Sequence, residues 1–299
     1  MDEILGSDNY DPDEGPFTVW AKAGSRSATD CTSRAEQARE DLRRVGDRIH
    51  TRASTWVERA QRCPNQPDIL RMAAFTVLQR EIALPPIGDD PLDLSGVEDS
   101  LVRTRRLALT WLDAAEAESR RRGERPGDGI EYFRARALLS VGEAEQARDA
   151  ARRALARGDA EPWRVYRVLA LSEMVLGELP PALEHARRSV EFAPERARPF
   201  SSHVYALVLD RAGDTAAARE LFRKYRDRAP TDSRRVLELM LPTHERLFFL
   251  ALGEQLAGRG HSGPLRLWQA YLARPEPSEA EKKLAKAHLS ELGPAPERL

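Results

Sequence analysis

A glycine followed by an acidic residue, with an alanine five positions after the glycine, occurs three times at nearly constant spacing. The copies are Gly142-Glu143 with Ala147, Gly177-Glu178 with Ala182, and Gly213-Asp214 with Ala218, and the glycines lie 35 and then 36 residues apart. Self-similarity at a period of this size marks a chain built from one supersecondary unit repeated side by side. The rest of each unit repeats as well. Arg134, Ala135 and Leu138 align with Leu169, Ala170 and Glu173, and with Tyr205, Ala206 and Leu209. Further on, Ala151 and Ala154 align with Ala186 and Ser189, and with Phe222 and Tyr225. Pro194 and Pro230 close the second and third units, and Asp159 stands at that place in the first. Glycine accepts the left-handed backbone that ends a helix, and alanine lets a second helix come close. A proline just beyond the second helix stops it. The pattern predicts helix, tight turn and antiparallel helix, three times over.

On these residues the chain resembles the tetratricopeptide repeat family, over about residues 128–232 and most clearly over 163–196. Glu173 departs from the large residue the family usually has there. The resemblance implies an all-α fold, a right-handed α-solenoid of stacked antiparallel helical hairpins. Its inner face would be lined by the first helix of each hairpin and would take extended or helical peptides. Carried onto this chain, that geometry places Tyr132, Arg136 and Leu139 inside from the first unit. Arg164, Arg167, Leu171 and Met174 follow from the second, and Phe200, His203, Leu207 and Arg211 from the third, with Arg246 and Phe249 extending the row. Such a mixture of arginine and aromatic groups suits a peptide whose acidic residues flank apolar ones. The family's carboxylate clamp for chaperone tails needs lysine and asparagine at set places on the first helix. Those asparagines are missing, so chaperone-tail binding is not expected.

Four segments organise the 299 residues: an acidic N-terminal segment over 1–30, worn helical repeats over 31–127, the three clear repeats over 128–232, and a further worn repeat with a capping helix over 233–299. Residues 1–14 carry six acidic side chains and no basic one, and 1–16 read as a disordered or loosely docked tail of the partly disordered segment 1–30. Tyr10, Phe17 and Trp20 give that tail an apolar side, so residues 1–21 suit the Arg-rich inner face as a ligand supplied by the chain itself or by a second copy. The net charge of −1 gives the whole protein no electrostatic footprint for nucleic acid or an anionic membrane. No run of about 18 apolar residues is present, so no membrane span is expected. Met1 is followed by acids and not by a signal-peptide pattern, which places the chain in the cytoplasm; removal of an export signal would place it outside.

Residues 33–62 are helical in pattern and allow two readings. One is a single helix about 45 Å long at 1.5 Å per residue. The other is a hairpin turning at Gly46-Asp47, a fourth and worn copy of the anchor, with Ala53, Val57 and Ala60 on its second helix and Pro64 at its end. Cys31 and Cys63 are the only cysteines and are centred on residue 47. In a hairpin the two ends lie side by side and a disulfide is feasible; in one continuous helix it is not. Such a bridge would staple a hairpin with a small core, and it conflicts with a cytosolic location, where thiols stay reduced.

Beyond it, residues 68–84 form an amphipathic helix ended by Pro85-Pro86, and residues 97–122 form a long one. Asp89, Asp90 and Asp93 lie between them without the ligand spacing of a calcium loop, which favours a solvated loop. Arg120, Arg121, Arg122 and Arg125 gather at the end of the long helix, where cations are favourable; no aromatic platform accompanies them for single-stranded nucleic acid. Pro242 splits the helical stretch 233–258, and Trp268 and Tyr271 match Phe222 and Tyr225 in a helix over 264–273. Ser278 and Glu281 form a Ser-x-x-Glu capping box for a last helix over 278–292.

Catalytic signals are absent from this sequence. His50, His185, His203, His244, His261 and His288 are scattered without metal-ligand spacing, and His244-Glu245 lacks the second histidine of a zincin. No phosphate-binding glycine loop or nucleophile elbow occurs. The expectation is a protein-binding scaffold without enzyme activity, metal or cofactor. Nucleic-acid binding through Arg-rich helix edges and an extracytoplasmic assembly role with a Cys31–Cys63 disulfide are the rival readings.

Overall fold

In a computed structural model of the chain, which describes residues 28–43, 53–79, 95–127, 129–225, 240–257 and 262–293, the regular structure of those residues is entirely helical. The N-terminal tail, the turn at Gly46-Asp47, the Asp89–Asp93 loop and Pro230 lie outside them. Two units are distinguished, one from Met1–Arg80 with Arg103–Phe133 and one from Glu81–Val102 with Arg134–Leu299.

The first unit is built around one enclosed helix. Helices α1 (Ala28–Arg43) and α2 (Ala53–Arg62) both pack on α3 (Pro67–Gln79). Proline opens α3 where its missing N–H costs nothing, and residues 67–78 are all buried. Alternation at helical spacing puts Trp56, Val57, Ala60 and Cys63 on the buried side of α2. Residues 33–43 and 53–62 therefore lie on two helices that both pack on α3, as the hairpin reading expects. Cys31 in the first turn of α1 is bonded to Cys63 just past α2, with Cα atoms 5.8 Å apart. Asp30 sits in the first turn of α1 and is paired with Arg34.

Helix α4 (Ser95–Arg121) contributes Ala108, Trp111, Leu112 and Ala115 to the core of this unit. Its buried Arg105 donates to the Val77 carbonyl at 3.0 Å. That satisfies one of the orphan carbonyls in the last turn of α3 with a cation, the favourable charge there. Phe75 of α3 packs on Phe133 at 5.0 Å, and Tyr132 lies against Phe133 at 5.4 Å.

The second unit contains the three anchors, and each forms the same turn. Helices α5 (Ile130–Ser140) and α6 (Ala144–Arg157), α7 (Pro162–Val175) and α8 (Leu179–Phe192), and α9 (Arg198–Arg211) and α10 (Thr215–Tyr225) are the successive pairs. Gly142, Gly177 and Gly213 take φ of 84°, 75° and 91°. In each turn the glycine N–H donates three residues back, to Leu139, Met174 and Asp210. The following acidic residue's N–H donates five back, to Leu138, Glu173 and Leu209, at 2.8–2.9 Å. Those two bonds define a Schellman closure, in which a left-handed residue lets the last carbonyls of a helix be satisfied. Ala147, Ala182 and Ala218 are then fully buried one turn into the second helix, as are Ala135, Ala170 and Ala206 on the first. Small side chains at both places let the paired helices approach closely.

Helix α6 packs on α7, α7 on α8, α8 on α9, α9 on α10, and α7 also reaches α9. Helix α8 ends at Ala193, which is extended, as a residue before proline prefers. A short 3₁₀ turn, Glu195–Ala197, leads into α9. Helix α6 ends at Gly158, with φ 65° and the same pair of Schellman bonds, where the second unit has Pro194. Pro242 precedes α11 (Thr243–Ala257), which α10 packs against, and α12 (Ser262–Leu272) and α13 (Glu279–Glu291) follow. The capping box forms: Glu281 N–H donates to Ser278 Oγ, and Ser278 N–H donates to Glu281 Oε2 at 2.7 Å. None of the described helices is long and apolar enough to cross a membrane.

Candidate functional site

The start of α7 and the start of α9 bring three of the expected inner-face residues together. Successive turns of α7 place Trp163 and Arg167 on one side, and the Arg167 guanidinium lies between two rings, 3.8 Å from the centre of Phe200 on α9 and 4.9 Å from that of Trp163. Arg164 stands over the same indole at 5.1 Å and is paired with Glu161 at 2.6 Å. A planar cation stacked on ring faces is held without losing its charge. Below it, Ser189 at the end of α8 donates to the Trp163 carbonyl at 3.0 Å and lies 2.9 Å from Ser201 Oγ, tying three helices at one point.

The other expected residues go elsewhere. His203 stacks on Phe222 at 5.1 Å, and Phe222 meets Phe249 at 6.3 Å. Leu139, Leu171 and Leu207 are fully enclosed, and Tyr132, Arg136 and Met174 are buried. Among the residues expected on the inner face, Arg164 keeps the most open side chain, 23% exposed. These positions are on the expected helices, and nearly all are covered by neighbours.

Arg211 joins a buried charged cluster that no local pattern announces. Its guanidinium lies 2.6 Å from Glu245 of α11, 3.1 Å from Glu281 of α13 and 3.3 Å from the Tyr271 hydroxyl of α12, and 3.7 Å from the centre of the Phe248 ring. Burial pushes the Tyr271 hydroxyl above its ordinary range, with Glu245 and Glu281 adding to the rise and Arg211 opposing it. Glu281 thus does two things: one oxygen closes the capping box and the other binds Arg211. The adjacent Asp210 is also enclosed. His288 Nε2 lies 2.9 Å from its carboxylate and Thr215 donates to it at 2.8 Å. The His288 ring stacks on Trp268 at 5.0 Å, and Gln255 accepts from the Trp268 indole at 2.7 Å.

Glu173, the residue that departs from the family pattern, is fully buried. His185 Nδ1 lies 2.6 Å from it and Arg152 reaches it at 3.7 Å. His185 stacks on Tyr166 at 5.7 Å, Tyr166 stacks on Phe192 at 5.8 Å, and Phe192 is the more exposed of the two large apolar side chains that stand open among the described residues.

In the first unit, the arginines at the end of α4 are engaged by acids of the same helix. Arg120 pairs with Glu116, and both Arg121 and Arg122 pair with Glu118. Hydrogen bonds from Arg121, and then Arg122, hold the Glu118 carboxyl down at about 2 against the opposing effect of desolvation. Among the described residues no group of three or more His, Cys, Asp or Glu is placed to hold a metal ion. No family model, curated protein or solved structure matches this chain.

Proposed function

We propose that this protein is a non-enzymatic scaffold that binds a peptide or a partner protein on the side of α7 and α9 that carries Arg164, Arg167 and Phe200, within a tetratricopeptide-like solenoid. The observation that carries this reading is the Arg–aromatic cluster where the first helices of consecutive hairpins meet, with Arg167 between Trp163 and Phe200 and Arg164 at its open edge. Arginine beside aromatic rings fits a ligand in which acidic side chains flank apolar ones. The acidic segment 1–21 has that composition and serves as a built-in ligand that competes with partners.

The test is titration of fluorescent peptides graded from acidic-apolar to neutral-polar against the full chain and against Arg164→Glu. Acidic-apolar peptides should bind in preference and weaken with salt. Arg164→Glu should lower their affinity at least tenfold with an unchanged melting temperature, and removal of residues 1–21 should raise it. Equal binding of all peptides, or no effect of Arg164→Glu, would contradict the proposal.

One observation favours a second reading. A Cys31–Cys63 bond persists where thiols are oxidised, which supports scaffold work outside the cytoplasm. Binding of nucleic acid is disfavoured because the arginines that end α4 are paired with Glu116 and Glu118.

A further inference from the structure

Glu173 on α7 has no exposed surface, and a carboxylate so enclosed is costly unless its neighbours pair it fully. Its pairing is incomplete. Oε2 meets His185 Nδ1 at 2.6 Å, while Oε1 takes no hydrogen bond and has the Arg152 guanidinium at 3.7 Å. What the carboxylate does achieve is to fix the imidazole. A carboxylate only accepts, so the proton between the two groups stands on Nδ1 and the lone pair of the ring stands on Nε2. Among the described residues no hydrogen bond reaches Nε2, and that nitrogen is not closed off from solvent. The His185 side chain is 21% exposed.

The open nitrogen borders a row of rings. His185 stacks on Tyr166 at 5.7 Å, and Tyr166 stacks on Phe192 at 5.8 Å. His185, Arg188 and Phe192 recur at helical spacing, so they share one face of α8. Phe192 ends the row and is 55% exposed. The charges beside it are already matched. Arg188, over the Tyr166 ring at 5.7 Å, pairs with Glu184 at 2.8 Å, and Arg187 pairs with Glu184 and Glu191. A charged ligand would have to break one of these pairs to find a counter-ion. We propose that this face of α7 and α8 is a second binding site, which takes an uncharged aromatic side chain that carries a hydrogen-bond donor: a tyrosine or tryptophan of a partner peptide. The ligand ring rests on Phe192 and Tyr166, and its O–H or N–H donates to His185 Nε2. Ring contact supplies affinity, and the single acceptor selects tyrosine and tryptophan over phenylalanine. The site shares no residue with the Arg164–Arg167 cluster, so it does not rest on that reading.

Nuclear magnetic resonance on the full chain, isotope-labelled in histidine, tests this at about pH 8, above the ordinary histidine range. The probes are the acetylated amides of tyrosine, tryptophan and phenylalanine. In the free protein His185 Nε2 should show the resonance of an unprotonated ring nitrogen. The tyrosine and tryptophan amides should bind and move that resonance. The phenylalanine amide should bind on the order of fivefold more weakly and leave it in place. Phe192→Ala, at an exposed position, should weaken the tyrosine amide about fivefold with an unchanged melting temperature. His185→Phe, made together with Glu173→Leu so that no buried acid is stranded, should abolish the preference for tyrosine over phenylalanine. A protonated Nε2 in the free protein, equal binding of the tyrosine and phenylalanine amides, binding of none of the three, or full binding by Phe192→Ala would each overturn the proposal.

Discussion

Replacing Arg211 with alanine is expected to lower the unfolding free energy by roughly 3–5 kcal/mol, because it strands a buried acid. Glu245 is 1% exposed and has the Arg211 guanidinium at 2.6 Å and the His244 ring at 3.6 Å. The same substitution empties the space against the Phe248 ring and removes a partner of Tyr271 and Glu281. These contacts come from α11, α12 and α13, so the loss should fall on the attachment of all three helices to α9. A double-mutant cycle with Glu245→Ala separates the pair from the packing. The double variant should be less destabilised than the sum of the two single ones, since neither charge is then left unpaired. Urea unfolding followed by circular dichroism reads the effect. A loss for Arg211→Ala of less than about 1 kcal/mol would place the pair in the class of solvated surface ion pairs.

The second large effect is expected at Leu171. A leucine with no exposed surface, replaced by alanine, should destabilise by about 2–5 kcal/mol through lost burial and the cavity left behind. Arg164→Ala, on the same helix and partly exposed, should change stability by about 0.5 kcal/mol or less. Both residues belong to the row that the repeat pattern assigns to the inner face. The contrast in unfolding midpoints separates those that build the core from those left to meet a ligand. Similar small losses at both would mean that Leu171 lies on an open groove.

That contrast shows where sequence reading stops. The three turns were legible because a Schellman closure needs a left-handed residue, which strongly favours glycine, and because the unit repeats. The Ser278–Glu281 capping box was legible because its partners are three residues apart. Gly158-Asp159 carries the same Gly-acidic signal, which the repeat alignment hides by matching Asp159 to the prolines of the other units, although it closes α6 in the same way. Asp210 and His288 are 78 residues apart, and their pairing depends on how α13 is rotated against α9, which no local pattern encodes. Glu173 stands out in the sequence as an exception to the family pattern, but its partners His185 and Arg152 reach it from the two neighbouring helices. Helical periodicity tells which side of α7 carries Arg167 and Leu171. It does not tell that Trp163 and Phe200 enclose Arg167, because enclosure is set by the neighbouring hairpin.

The identity of the three turns is measured most directly by replacing their glycines one at a time. No atom lies within 4 Å of a Cβ built on Gly142, Gly177 or Gly213, so alanine there meets no clash and carries only the penalty of left-handed backbone. Each substitution should cost about 1–2 kcal/mol, and the three should agree with one another. Gly253, inside α11 with ordinary helical backbone and the nearest atom of Phe222 at 3.9 Å, is the control. There alanine should be neutral or stabilise by up to about 1 kcal/mol. Equal losses at the three turns with none at Gly253 would establish one hairpin unit used three times. A substitution at any of the three that costs nothing would contradict it.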